Sequence, residues 1–395
     1  MNRFYFDHNA TTPIAPEVVA AMTEVMQLTY GNPSSVHREG QRARQILEAS
    51  RNEVSGFLNA SPGEIVFTSG GTEADNLAIA GLLKSFPKRK HLITTVIEHP
   101  AVLESCRQAQ HDGTEVTYIP VDAAGSVSPS DIARNIKPET VLISVMHANN
   151  ETGAVQPLSE IGQIVRKARV AGQPIFLHSD GVQALGKIRV DVQQLGIDLY
   201  SISAHKIHGP KGVGALYVRK GIPLAGTQMG GRHERERRAG TENTPAIAGF
   251  ARALRLAKAD APYDSLAQLR DRFESRICSS SSGITVNSAC SERLPNTSNF
   301  YFEGAEGEAL LISLDLKGFA VSTGSACSSG SVEPSHVLLA MGLSNEQARC
   351  CVRFSFGRYN TAVQVDALAE AVIASVAQLR EAKVKRISVG DCVGA

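Results

Sequence analysis

Asp198–Leu199–Tyr200–Ser201–Ile202–Ser203–Ala204–His205–Lys206 is an apolar, strand-like run that ends on an amine, and Ile207–His208–Gly209–Pro210–Lys211–Gly212 follows it as a turn. Lysines ordinarily stand on solvated faces among other charges. The neighbours of Lys206 are instead small, polar or turn-forming. A lysine confined in this way can lose proton affinity and serve as a Schiff-base nucleophile. A plain strand-end lysine fits the segment as well, so the decision falls to what the other strands lead into.

Runs of strand character precede it at Glu64–Thr68, Leu92–Ile97, Val141–Met146 and Ile175–His178, and Ala215–Val218 follows. Helical stretches separate most of them, beginning with an amphipathic pattern from His37 to Ala60 (Ala43, Ile46, Leu47, Val54, Phe57, Leu58). The alternation predicts an α/β protein with a mostly parallel sheet. From Pro245 to Ile277 the pattern turns mainly helical around a break at Pro262, and the boundary between a large and a small domain is placed there. The later part predicts a strand at Asn299–Phe302, a helix near Glu306–Leu316 and a strand at Arg353–Phe356. A last helix follows, with Val365, Leu368, Val372, Val376 and Leu379 on one stripe.

With 395 residues the chain exceeds what one core usually supports. Its 43% hydrophobic and 20% charged residues are those of a globular protein, and a formal charge of +1 argues against nucleic-acid or membrane-surface binding. The start has no apolar leader, no run reaches membrane-spanning length, and the chain reads as cytoplasmic. Seven cysteines, without metal-ligand spacing, read as packing residues apart from Cys327, and no metal site is expected.

Ligands of open parallel sheets bind outside the carboxyl ends of the strands. The first run leads into Ser69–Gly70–Gly71–Thr72–Glu73 and then a helix, which offers an anion backbone amides and the Thr72 hydroxyl; a plain turn is the alternative. The second ends at His99–Pro100, an imidazole able to stack or shuttle protons, or a structural histidine. The third ends at Asn149–Asn150, commonly turn residues. The fourth ends at Asp180, a helix cap or a partner for a pyridinium nitrogen, with Gln183 able to donate to a phenolic oxygen. The fifth carries Ser203, His205 and Lys206. An amine, a carboxylate, a stackable imidazole and an anion-binding turn together match what pyridoxal phosphate requires.

Two further residues stand out. Cys327 lies in Ser322–Thr323–Gly324–Ser325–Ala326–Cys327–Ser328–Ser329–Gly330–Ser331, too small and polar for a core, and is either a reactive loop thiol or a surface cysteine. Arg353 lies among apolar residues, where it needs a carboxylate: a substrate's, or an internal Asp or Glu. The mixed run Arg232–His233–Glu234–Arg235–Glu236–Arg237–Arg238 reads as a solvated face, followed by a possible anion-contacting turn at Ala239–Asn243.

The sequence resembles the NifS/IscS-type cysteine desulfurases, in the class V aminotransferase family with the fold-type I architecture. The motifs run from Tyr5–Pro13 to about Tyr359: GNPSS at Gly31–Ser35, FTSGGTEADN at Phe67–Asn76, EHPAVL at Glu98–Leu103 and NNETG at Asn149–Gly153. SAHKIHGPKGVGALYVR at Ser203–Arg219 with its preceding strand, RAGTEN at Arg238–Asn243, GSACSSGSVEPSHVL at Gly324–Leu338 and VRFSFGR at Val352–Arg358 complete them. The resemblance implies a seven-stranded, mostly parallel sheet in a large domain of residues 15–255. A smaller α/β domain of 1–14 and 256–383 carries the cysteine loop, and 384–395 form a tail expected to be disordered.

It further implies that Lys206 holds pyridoxal 5'-phosphate covalently, with His99 stacked on the ring and Asp180 on its nitrogen. Asn150 and Gln183 would contact the ring oxygen region. Gly71, Thr72, Ser203 and His205 would hold the phosphate, joined by Thr241 from the second subunit of a homodimer. Arg353 would clamp the carboxylate of L-cysteine, with Asn150 nearby, and Cys327 would take the sulfur for a protein acceptor such as an iron–sulfur scaffold. Two features depart from the family: Gly181 stands where alanine is usual, a change expected to have no consequence, and the tail from Val384 differs from the scaffold-docking one. The reaction expected is L-cysteine to L-alanine with a persulfide on Cys327. Selenocysteine lyase or aminotransferase chemistry, or a non-enzymatic sulfur-relay scaffold, are the competing readings.

Overall fold

The computed structural model describes residues 3–260, 263–323 and 333–390. Its strands are β1 (Phe4–Tyr5), β2 (Ile65–Thr68), β3 (His91–Thr95), β4 (Glu115–Ile119), β5 (Thr140–Ser144), β6 (Phe176–Asp180), β7 (Leu199–Ser203), β8 (Gly214–Val218), β9 (Ile284–Val286), β10 (Thr297–Phe302), β11 (Phe319–Ala320) and β12 (Cys351–Ser355).

Seven of them form one sheet in the order β2-β8-β7-β6-β5-β3-β4. The pairs from β7 through β4 are parallel, and β8 runs antiparallel to both neighbours. Strand side chains alternate between faces, so Ile65 and Phe67 enter one apolar cluster and Val66 the other. Helices cover both faces. Gly71–Ser85 and Pro100–His111 seal the Val66 side with Leu77, Leu82 and Val102, while Val18, Leu47 and Phe250 seal the opposite side. Strands enclosed on both faces are rich in apolar residues without strict polar alternation, which is why six of the seven were legible.

The seventh, β4, was not expected. Only Ile119 of its five residues is buried. As the edge strand, paired to β3 alone, it needs no continuous apolar run. The amphipathic helix is Arg38–Leu58, entered through the His37 ring, which accepts from the Gly40 amide, and closed by Asn59 at φ 56°.

A separate apolar cluster gathers Phe273, Phe300, Phe302, Phe354 and Phe356 around the antiparallel sheet β12-β10-β9. Phe6 joins it because β1 pairs with β11. The helical stretch after Pro245 is two helices, Thr244–Asp260 and Tyr263–Cys278; Pro262 lies outside the described residues. The last helix, Ala362–Gly390, runs past Val384, where the sequence suggests a tail; residues 391–395 lie outside the described residues. Contrary to the sequence expectation, its stretch Ala362–Val384 is long and apolar enough to cross a membrane. Val365, Leu368, Val372 and Val376 pack on the phenylalanine cluster, and 33% of the apolar window is buried.

Candidate active site

Parallel pairing of β6 with β7 sets Asp180 opposite Ser201. The chain beyond β7 makes one tight helical turn, Ala204–Lys206, which brings the lysine back over the strand ends. The Gly70–Gly71 turn, the His99 helix entrance and the segment after β5 converge on the same edge. A cavity of about 210 Å³ results, lined by Gly71, Thr72, His99, Asn150, Asp180, Gln183, Ser203, His205 and Lys206. Arg353 and Thr241 are not part of its lining. Cys327 lies outside the described residues.

The Lys206 amine donates to the carbonyls of Asn9 at 2.6 Å and Ala10 at 2.8 Å. Burial lowers its pKa to about 8; the Arg353 charge adds to the shift, and Asp180 and Asp7 oppose it. Asp180 moves the other way, up to about 6, because burial and the nearby Asp75 disfavour a second negative charge. Its Oδ1 accepts from the Val182 amide at 2.9 Å.

His99 caps the helix Pro100–His111, its Nδ1 accepting from the Ala101 amide at 3.1 Å. The neutral ring therefore carries its proton on Nε2. The residue reaches solvent at the cavity mouth, yet the protein packed about the ring lowers its pKa, with Lys206 and His336 adding to the effect and Asp180 opposing it. His205 falls to about 4 through burial and the charges of Lys206, Lys211 and Lys187. At Gly71, the first residue of the helix Gly71–Ser85, a Cβ would come within 2.7 Å of Val182. Only glycine lets this helix end close on the cavity.

Arg353 is buried and already has an internal carboxylate. Its Nη2 meets Asp7 Oδ1 at 2.6 Å and its Nη1 donates to the Asn150 carbonyl at 2.9 Å, while Nε has no partner among the described residues. Thr241 is exposed. The 232–238 run is not wholly solvated as expected: Glu234 is buried, bonded through both oxygens to Arg51 (2.8 and 2.7 Å), and accepts from the Phe67 amide. Arg238 pairs with Glu73 at 2.8 Å. Cys278 and Cys290 are exposed rather than packed.

Sequence reading missed four contributors. Asn9 links Lys206, Gln183 and Lys187 through its carbonyl and side-chain oxygens; its signal was its place in the Tyr5–Pro13 motif. Lys187, four residues beyond Gln183, is buried. Asp75 lines the cavity, 1% exposed, with Oδ1 3.5 Å from His178 Nε2, and burial raises it to about 7. An acid on the apolar face of the helix Gly71–Ser85, among Ala74, Leu77 and Ala78, was the clue. Tyr200 packs against Gly181 so closely that a Cβ there would lie 1.9 Å from its ring, so the glycine is not the inconsequential departure expected.

The "Aminotransferase class-V" family model matches residues 4–368. The chain is 46% identical over 360 residues to cysteine desulfurase IscS of Dictyoglomus turgidum, covering 90% of each, and 45% identical over 379 residues to cysteine desulfurase IscS of Methanosarcina thermophila, covering 95% and 92%. A solved NifS-like protein superposes with a TM-score of 0.88 at 36% identity, over 95% of this chain and 99% of the other. The NifS-like protein from Rickettsia africae does so with 0.84 at 31%, over the same shares. Matched over nearly its whole length, and with a lysine, an acid and an imidazole meeting at one set of strand ends, the chain belongs to the class-V aminotransferase family.

Proposed function

We propose that the cavity removes sulfur from L-cysteine, giving L-alanine and a persulfide on Cys327. The observation that carries this reading is the junction of Lys206, Asp180 and His99 around one cavity, with the flanks of the cysteine segment close by. On one flank, the Ser322 and Arg353 backbones exchange hydrogen bonds of 3.2 and 2.7 Å. On the other, Ser335 donates to Glu151, and the His336 ring meets the carbonyl of Glu98, the neighbour of His99.

The enzyme's cofactor is pyridoxal 5'-phosphate, and the residues present fit it. Gly71 leaves a helix end open where a Cβ would fill the space, and the half-buried amine stands across from a buried acid. Lys206 would hold the aldehyde carbon, Asp180 the ring nitrogen, and Asn150 and Gln183 the ring oxygen region. Gly71, Thr72, Ser203 and His205 would hold the phosphate. When bound, the cofactor supplies an electron sink for negative charge developing at the amino-bearing carbon.

The chain supplies the rest. With a pKa near 8, the Lys206 amine is partly unprotonated close to neutrality and able to take the α-proton. The His99 Nε2 proton is available at the cavity mouth. Arg353 would hold the substrate carboxylate through donors now shared with Asp7 and Asn150. The Cys327 thiolate attacks the substrate sulfur, forming the S–S bond as the C–S bond breaks, and the product carbon is protonated to alanine.

The exposed Thr241, which does not line this chain's cavity, suits a contact to the phosphate of a second copy in a homodimer. A protein acceptor, such as an iron–sulfur scaffold, would relieve Cys327 of its sulfur. Cys106, Cys278, Cys290, Cys350 and Cys351 are all free, which suits the reducing cytoplasm.

Incubation with L-cysteine and a thiol tests the reading: alanine and sulfide should form in step, and Cys327→Ala should abolish both. Pyruvate formation, or full activity of Cys327→Ala, would reject it.

A further inference from the structure

Lys206 lines two cavities, which share no other lining residue among those described. One is the candidate site. The other holds about 50 Å³ and is lined by Lys187, Arg358, His8, Thr12 and Asn296 among others. Lysine or arginine supplies three of its lining residues, and none of those described is acidic. Lys187 is 5% exposed and forms no ion pair among the described residues. Its amine donates to two neutral oxygens, Gln183 Oε1 at 2.5 Å and Asn9 Oδ1 at 2.9 Å. An ammonium has a third hydrogen to give, and a buried one without a counter-charge is costly to keep.

His8, 3% exposed, brings an acceptor to the same cavity. Its Nε2 donates to the Tyr5 carbonyl at 3.2 Å, so the neutral ring keeps a lone pair on Nδ1. That atom is buried and has no partner among the described residues. The ring faces Tyr5, His208 and Lys187, with Arg358 on the same cavity, and none of these brings a negative charge near neutrality. Burial, His208 and Lys187 accordingly lower its pKa to about 3. Thr12 and Asn296 are already engaged: the Thr12 hydroxyl donates to the His205 carbonyl, and Asn296 gives its amide hydrogens to Asn9 and Phe356. A bare anion beside Lys187 would meet the Nδ1 lone pair. An anion arriving with a proton for Nδ1 instead meets donors on both His8 and Lys187. Size narrows the choice, since one water takes about 30 Å³ of liquid: an ion of one heavy atom fits, and a phosphate or sulfate does not.

We propose that this second cavity binds one small monovalent anion of halide size, which pairs with the Lys187 ammonium and enters with a proton taken up on His8 Nδ1. The site stands on Lys187 and His8, not on the groups assigned to cofactor or substrate, so it does not depend on the proposed reaction.

The test follows thermal unfolding of the holoenzyme as sodium chloride replaces sodium gluconate at constant ionic strength, gluconate being too large for the cavity. Specific binding should raise the folded-to-unfolded ratio of wild type in proportion to one plus the ratio of chloride to its Kd. General salt effects act on all variants alike, and Lys187→Met should lose the specific gain. Because a proton accompanies the anion, wild-type affinity should rise by up to about tenfold for each pH unit of acidification below neutrality. His8→Phe should show no such rise. A crystal grown in sodium bromide should place the ion between His8 Nδ1 and Lys187, a measurement that serves equally if Lys187→Met fails to fold. Equal chloride gains in wild type and Lys187→Met, a wild-type affinity independent of pH, or water alone in the cavity of the bromide crystal would each overturn the proposal.

Discussion

The ring of Tyr200 occupies the space that a side chain on Gly181 would need: a Cβ there would lie 1.9 Å from Cζ and 2.2 Å from the hydroxyl oxygen. The ring cannot swing aside, because Tyr200 is fully buried and its hydroxyl is hydrogen-bonded to His147 Nδ1 at 2.7 Å. Gly181→Ala should therefore destabilise the protein by about 1–3 kcal/mol or more, the range for overpacked cores. Adding Tyr200→Leu should recover part of that loss, a coupling that a double-mutant cycle in denaturant would measure. Equal stability of Gly181→Ala and wild type would contradict the packing described.

Glu98 provides a pH signature. It is fully buried, with Oε1 accepting from Thr95 and the Met146 amide, and Oε2 without a partner among the described residues. Burial raises its pKa from 4.5 to about 8. The folded state thus binds the extra proton between these values, so its contribution to stability is present below about 4.5 and lost as the pH rises through 8. Glu98→Gln removes this dependence. Cofactor-free wild type should lose stability relative to Glu98→Gln between pH 5 and 8, by on the order of a few kcal/mol. Thermal unfolding across that range checks it; parallel curves would refute the assignment.

The Arg51–Glu234 pair, with side chains 4% and 1% exposed, should be costly to break from one side. Glu234→Ala leaves the buried guanidinium only the half-exposed Glu48, 3.4 Å from its Nε, and the Ile65 carbonyl, with an expected loss of about 3 kcal/mol, the low end for breaking a buried pair. Replacing both residues by apolar ones of similar volume should cost less than the single change. Urea midpoints would show this ordering.

Arg353 already divides its donors between Asp7 and the Asn150 carbonyl. Lysine keeps the charge but not the planar fork. Arg353→Lys is therefore expected to raise KM for L-cysteine about tenfold or more, the value of one charge-assisted hydrogen bond, while the cofactor absorbance stays unchanged. Steady-state kinetics beside a spectrum of the resting enzyme separates the two effects.

Much of this architecture is written in local patterns. β2, β3 and β5 to β8 are sealed on both faces, so their apolar runs could be read in one dimension, whereas the half-exposed edge β4 could not. That Lys206, Asp180 and His99 gather at one edge was legible because Asp180 ends a strand, His99 opens a helix and Lys206 closes the tight turn just after a strand, all at the carboxyl ends of the sheet. Glu234 was misread among its charged neighbours, because its partner Arg51 is 183 positions away.

Sequence alone, then, determined the order of strands and helices and which residue types arrive at the carboxyl edge, since both follow from periodicity and short-range turns. Tertiary structure decided which groups share hydrogens there: Asn9 under Lys206, Lys187 behind Gln183, Tyr200 in place of a side chain at Gly181. Those pairings arise when segments far apart in the chain are pressed together without water, and a buried donor, acceptor or ring must then be matched by whatever the opposite segment brings.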